Sequence, residues 1–205
     1  MPKWNACENK ILKHNSPKDW GSLVEPHLED FEIADWGSEH SQEVRFQALL
    51  RLPVAAGDRV LDFGCGTGRL CDLLPDSIKY TGLDWSAAII EEARRRRPGV
   101  VFLLGDAGEL RPAEWIIASG PFNAARGWSK KRTAEIIGGM CQNATRGIGV
   151  TALRLPMPNR LHYSPMEMLG YVGADAWSHV HIDMSYLKHD LCLTAWRDSV
   201  AANHV

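Results

Sequence analysis

The sequence predicts an open α/β fold, a doubly wound and mostly parallel sheet with helices on both faces. Three observations carry that expectation. From Arg59 onward, short apolar runs alternate with helical segments, the pattern of strands joined by crossover helices. Residues 60–68, Val-Leu-Asp-Phe-Gly-Cys-Gly-Thr-Gly, read as a buried strand that runs into a tight glycine turn and then a helix. Asp84 ends a second apolar run, Tyr80–Leu83, and stands 20 residues beyond Gly64.

The elements follow in order. Residues 1–16 are polar and expected to be irregular. Pro17 to Phe31 is expected to form a short helix, with Trp20, Leu23, Val24, Leu28 and Phe31 near helical spacing. Asp35-Trp36-Gly37 breaks it, and Ser38 caps a helix running to about Leu52, with Val44, Ala48, Leu49 and Leu52 on one face. Strands are expected at 59–63, 79–83, 100–104, 115–119, 147–154, 178–184 and 191–197, and helices at about 68–74, 86–97, 129–142 and 165–172. The connection 105–114 is too short for a crossover helix, so one or two turns must serve. Ser185–Asp190 is a short link, which suits an antiparallel last pair. We expect a single domain over 1–205, with a helical cap segment at 1–52 and the sheet core at 53–205.

Bulk properties narrow the function. With 205 residues, 45% apolar and 23% charged, the chain has the make-up of one globular domain. A net charge of −2 gives no electrostatic footprint for nucleic acid. The basic run Arg94–Arg97 closes a helix, and is expected to be a solvated end that complements the helix dipole. The opening Met1–Asn5 lacks an apolar signal core, and no run approaches the ~18 apolar residues of a membrane span, so a cytoplasmic protein is expected. The 5 cysteines are odd in number and form no C-x-x-C pair, which fits a reducing compartment. No set of histidines and acids has metal-ligand spacing, so no metal is expected.

The glycine turn and Asp84 together read as a nucleoside site, the acid placed to take two ribose hydroxyls. A dinucleotide turn G-x-G-x-x-G/A would end at Arg69, which does not fit, and Asp62 would repel a pyrophosphate and welcome a cation. At these residues the chain resembles the class I S-adenosylmethionine-dependent methyltransferases. Their first motif, hh(D/E)hGxGxG, matches Val60–Gly68, with Asp62, Gly64, Gly66 and Gly68 at the fixed positions. Asp84 matches their ribose acid, and Asp106-Ala107 matches the adenine position after the third strand. The resemblance covers about residues 38–197. It implies a Rossmann-like sheet of order 3-2-1-4-5-7-6 with an antiparallel last hairpin. It also implies S-adenosylmethionine as cofactor, leaving as S-adenosylhomocysteine.

The carboxyl end of the fourth strand, Ala118–Asn123, is where the methyl group is expected. It is similar to an Ala-Ser-Gly-x-Phe-Asn signature in small methyltransferase-like proteins, whose upstream Trp-x-Ser…Gln…Arg-Phe pattern matches Trp36, Ser38, Gln42, Arg45 and Phe46. That likeness makes Ser119, Arg45 and Trp36 cofactor candidates, Arg45 through the methionine carboxylate. Trp85 is a candidate to stack on adenine. Asn123, His162 and Tyr163 are the catalytic candidates, with His162 the possible base and Tyr163 able to meet a sulfonium by cation–π contact.

The leading expectation is methyl transfer to a small molecule. The alternative is a cyclase or lyase of the azetidine-2-carboxylate synthase kind, releasing methylthioadenosine, with Asn123 and Tyr163 holding the α-amine and Trp20 and Trp36 capping a dry pocket. A DNA methyltransferase, in which Phe122 stacks on a flipped base, and a non-catalytic nucleoside-binding module are the remaining readings. The sequence leaves oligomeric state open.

Overall fold

The computed structural model describes residues 24, 25, 27–124 and 128–198. Within these, seven strands form one sheet: β1 (Arg59–Phe63), β2 (Lys79–Asp84), β3 (Val101–Leu104), β4 (Ala113–Ser119), β5 (Ala144–Leu153), β6 (His179–Asp183) and β7 (Asp190–Trp196). Their order is β3-β2-β1-β4-β5-β7-β6. β1 to β5 pair in parallel, and β7 pairs antiparallel with both β5 and β6. This is the Rossmann-like arrangement expected, hairpin included.

The main helices are α1 (Asp30–Ile33), α2 (Glu39–Leu49), α3 (Ala87–Arg96), α4 (Lys130–Asn143) and α5 (Pro165–Val172). Polar caps set their starts: the hydroxyls of Ser38, Ser86, Ser129 and Ser164 each accept a backbone N–H in the first turn that follows. The segment after Gly68 is a 3-10 turn, Arg69–Leu73, and the 105–114 connection holds one more, Ala107–Glu109. The helix expected over Pro17–Phe31 does not form in its described part: residues 24, 25 and 27–29 are non-helical and α1 begins only at Asp30, while Trp20 and Leu23 lie outside the described residues.

Alternation along the strands makes two cores. Ile116, Ala118, Ile148 and Val150 face α4 and α5, whose Ile137, Met140 and Met168 are buried there. Trp115, Ile117 and Val60 face Phe46 of α2 and Leu52 in the turn after it. The first core holds Tyr163, wholly buried, with its hydroxyl donating to the Phe122 carbonyl (2.9 Å) and bonded to Thr133 Oγ1 (2.9 Å). No helix of the described residues is long and apolar enough to cross a membrane.

Arg94–Arg97 is not the solvated end expected. Arg96 and Arg97 are largely buried, and both reach back to Asp30 of α1. Arg96 also pairs with Glu92, and Arg97 with Asp72.

Candidate active site

The site is built at the carboxyl edge of β1, β2 and β4. The N–H groups of Gly64 and Cys65 donate to the Leu83 carbonyl at 2.8 and 3.2 Å, which folds the turn against β2. Gly64 has φ +72°, and a Cβ there would stand 2.7 Å from Pro121 Cβ, so the turn and the end of β4 meet at van der Waals contact. Asp84 braces the turn from below. Its Oδ2 accepts the Gly66 N–H (3.1 Å) and its Oδ1 accepts the Ser86 N–H (2.9 Å). Each carboxylate oxygen keeps acceptor capacity beyond those bonds, enough for a vicinal diol.

Asp62 lies one strand over. Its Oδ2 accepts the Tyr80 hydroxyl at 2.7 Å, while its Oδ1 is buried with no partner among the described residues. Burial pushes its carboxyl up to about 7, the Tyr80 bond opposes this, and the neighbouring Asp84 charge adds to it. Burial pushes Asp84 up to about 6, against the backbone donors that favour its charge. Two buried acids at one sheet edge, one with an orphan oxygen, suit a ligand that brings hydroxyls and positive charge.

Aromatic rings form the adjoining wall. The Trp85 ring centroid is 5.9 Å from Phe63 and 5.2 Å from Trp128, and its Nε1 is buried without a partner among the described residues. Trp128 was not expected from the sequence, because it follows the strand by nine positions and carries no motif. Phe122 is stacked 6.1 Å from Phe63 and fully buried, so it has no face to give a flipped base. The DNA reading loses its stacking residue.

The segment before α2 covers this edge. Asp30 accepts the Thr67 hydroxyl inside the glycine turn at 2.6 Å and pairs with Arg97 at 2.7 Å. Asp35 pairs with Arg160 from the loop after β5. The Trp36 ring fills the space that a Cβ at Gly120 would take, which lays it over the end of β4.

Arg45 does not serve as expected. Its Nε and Nη2 donate to Asp190 Oδ1 and Oδ2 at 3.3 and 2.6 Å, its Nη1 donates to the Ser41 carbonyl, and its Cζ lies 4.3 Å from the Trp36 ring. A guanidinium so committed is the support beneath Trp36, not a free clamp for a methionine carboxylate.

The other candidates divide. Ser119 Oγ lies 3.3 Å from Thr151 Oγ1 at the end of β4. Asn123 Oδ1 accepts the Leu153 N–H (2.9 Å), which ties the ends of β4 and β5 and leaves the amide NH2 at the edge. His162 is half-buried in the loop after β5. Asp106 caps the turn that Ala107 opens, accepting the Gly108 N–H at 2.9 Å while remaining exposed. Tyr163 belongs to the core, both bonds of its hydroxyl taken inside, so it cannot hold an amine or meet a sulfonium. With it goes half of the pair that the cyclising alternative required.

Comparison with known proteins agrees with this geometry. Residues 60–128 match the family model described as a methyltransferase domain. A trans-aconitate 2-methyltransferase of Methylobacterium nodulans is 39% identical over 93 residues, which is 39% of this chain and 35% of that protein. A demethylmenaquinone methyltransferase of Beutenbergia cavernae is 39% identical over 81 residues, 39% of this chain and 32% of that protein. The chain spans about a third of the length of the curated relatives it matches. The crystal structure of magnesium protoporphyrin IX methyltransferase from Synechocystis, with S-adenosylmethionine bound, shares the fold at TM-score 0.64 and 14% identity, covering 96% of this chain and 100% of that one. Residues 60–128 thus match a methyltransferase domain, and the chain as a whole shares the fold of S-adenosylmethionine-dependent methyltransferases.

Proposed function

We propose that this chain binds S-adenosylmethionine at the β1–β2–β4 edge and transfers its methyl group to a small molecule. The observation that carries the reading is the pair of buried acids around the glycine turn. Asp84 braces Gly66 and keeps acceptor capacity for a ribose diol, and the orphan Asp62 Oδ1 suits a cationic end. These residues suit the cofactor, and this reading assigns the adenine to Trp85, beside Phe63, and to Asp106, which caps the turn after β3.

When bound, the cofactor supplies an electrophilic methyl on a positively charged sulfur, already a good leaving group. The chain need only bring an acceptor into line and keep water out. Trp36 covers the β4 end, and Asn123 offers its amide there. His162 is the one candidate in the adjacent loop for removing a proton from the acceptor.

The test is incubation with S-adenosylmethionine, followed by mass spectrometry of the products. S-adenosylhomocysteine forming only when a metabolite extract is added is the expected result. Methylthioadenosine forming without the extract would replace this reading with cyclisation or lysis.

A further inference from the structure

We propose that the acceptor carries a carboxylate, received by Arg154 and His189 just past the ends of β5 and β7. The inference rests on the methyltransferase reading above and specifies the substrate class of the same site.

β5 and β7 run antiparallel, with Leu153 opposite Asp190. One residue further, the Arg154 N–H donates to the His189 carbonyl at 2.8 Å. Arg154 and His189 thus extend the ladder as one more opposed pair, and opposed residues in an antiparallel ladder project to one face, their Cβ atoms about 5 Å apart. Each of these two side chains holds a buried nitrogen with no partner among the described residues, Nε of Arg154 and Nδ1 of His189. Buried polar groups are nearly always paired, and a buried guanidinium N–H is among the least tolerable exceptions. Two such nitrogens on one cross-strand pair point to an acceptor that comes from outside the chain.

Two other described arginines at this edge are already used. Arg45 is held by both oxygens of Asp190, and Arg160 by Asp35. Asp190 lies within electrostatic reach of Arg154 and His189, but its carboxylate belongs to Arg45. Arg154 has no carboxylate partner among the described residues.

The place is also right for an acceptor. Asn123 Oδ1 holds the Leu153 N–H, one residue before Arg154, and Ser119 meets Thr151 two residues earlier on β5. Arg154 therefore follows by one residue the strand end that Asn123 ties to the end of β4. A guanidinium fork matches the two oxygens of a carboxylate, and a histidine N–H beside it adds a third donor. The carboxylate acts as an anchor that fixes the acceptor, and the methyl-transfer step is unchanged by it.

The experiment is calorimetric titration of the whole chain with benzoate and with citrate, each with and without saturating S-adenosylhomocysteine. Benzamide serves as the neutral match and inorganic phosphate as the rival oxyanion. The expected result is that a carboxylate binds at least about tenfold more tightly than benzamide or phosphate. Arg154→Gln should weaken that carboxylate by about tenfold or more while leaving S-adenosylhomocysteine affinity within about twofold. Arg154→Lys keeps the charge, loses the fork, and reads the same comparison if the glutamine variant does not fold. The inference is overturned if neither carboxylate binds, if benzamide binds as well, if phosphate is preferred, or if the Arg154 variants bind like the parent. Failure of the parent chain to bind S-adenosylhomocysteine speaks against the methyltransferase reading instead, and the titrations without it still decide the carboxylate question.

Discussion

Replacing Asp62 with asparagine is expected to stabilise the ligand-free protein and flatten its dependence on pH. An aspartate ordinarily titrates near 3.8, and burial moves Asp62 to about 7 and Asp84 to about 6. Between those values the native chain holds protons that the unfolded chain has released, so stability falls as pH rises. Integrating from about pH 5 to about pH 8 gives a loss of about 2.7 kcal/mol from Asp62 and about 1.4 kcal/mol from Asp84. Asparagine keeps the shape and an oxygen for the Tyr80 hydroxyl, and removes the first of these terms. At about 2–4 °C per kcal/mol for a domain of this size, the parent should melt roughly 8–16 °C lower at the higher pH, and the variant only about 3–6 °C lower. Acids with lowered titration, such as Glu92 and Glu114, both to about 2, act at lower pH and are common to both proteins. The assay is thermal or urea unfolding of ligand-free protein at the two pH values. Equal slopes in parent and variant would show that Asp62 is not the buried, proton-holding acid described. The same charge should govern the ligand: affinity for the cationic cofactor should rise with pH up to about 7 in the parent and be weaker and flatter in the variant.

Other perturbations follow from the same contacts. Asp190→Ala leaves Arg45 buried without its partner and should lower stability by about 3–5 kcal/mol, whereas Arg45→Met with Asp190→Leu should recover most of it, read by urea unfolding. Gly64→Ala puts a Cβ 2.7 Å from Pro121 at φ +72°, and should lose about 1–2 kcal/mol or more along with cofactor binding. Asp30→Ala frees Thr67, Arg96 and Arg97, and should speed amide exchange over 30–36 while lowering stability by about 1–3 kcal/mol. Burial raises the titration of Asp30 while Arg97, Thr67 and Arg96 outweigh it, leaving it below the ordinary value. Its contribution is therefore present at neutral pH and fades as pH falls through the acid range.

Local rules carried far in this chain, and their failures share a cause. Val60–Gly68 was legible because a β-turn-helix junction writes its apolar run and its glycines side by side, and β1 came out at 59–63 as expected. The Ser38 cap marked the start of α2, and the starts of α3, α4 and α5 fell within a residue of expectation, while the end of α2 was overrun because Leu52 is buried without being helical. What sequence reasoning missed depends on distant partners. Arg45 meets Asp190 across 145 residues, and Arg97 meets Asp30 across 67. Neither carries a local signal, so both arginines read as available when they are committed. Tyr163 fails for the same reason, since Thr133 and Phe122 claim its hydroxyl from 30 and 41 residues away. Trp128 was open to discovery, because an aromatic just before a serine-capped helix at the end of β4 faces the turn.

The most direct measurement is calorimetric binding of S-adenosylmethionine to the parent chain and to Asp84→Ala at about pH 8. Asp84 braces Gly66 and, on the proposed reading, takes the ribose hydroxyls, so losing two charge-assisted hydrogen bonds should weaken binding by about 2–4 kcal/mol, roughly 30- to 1000-fold. Tight binding by the parent with that loss in the variant is the expected result. Equal affinity for both proteins, or none for the parent, would mean that the glycine turn and its two buried acids are not a cofactor site.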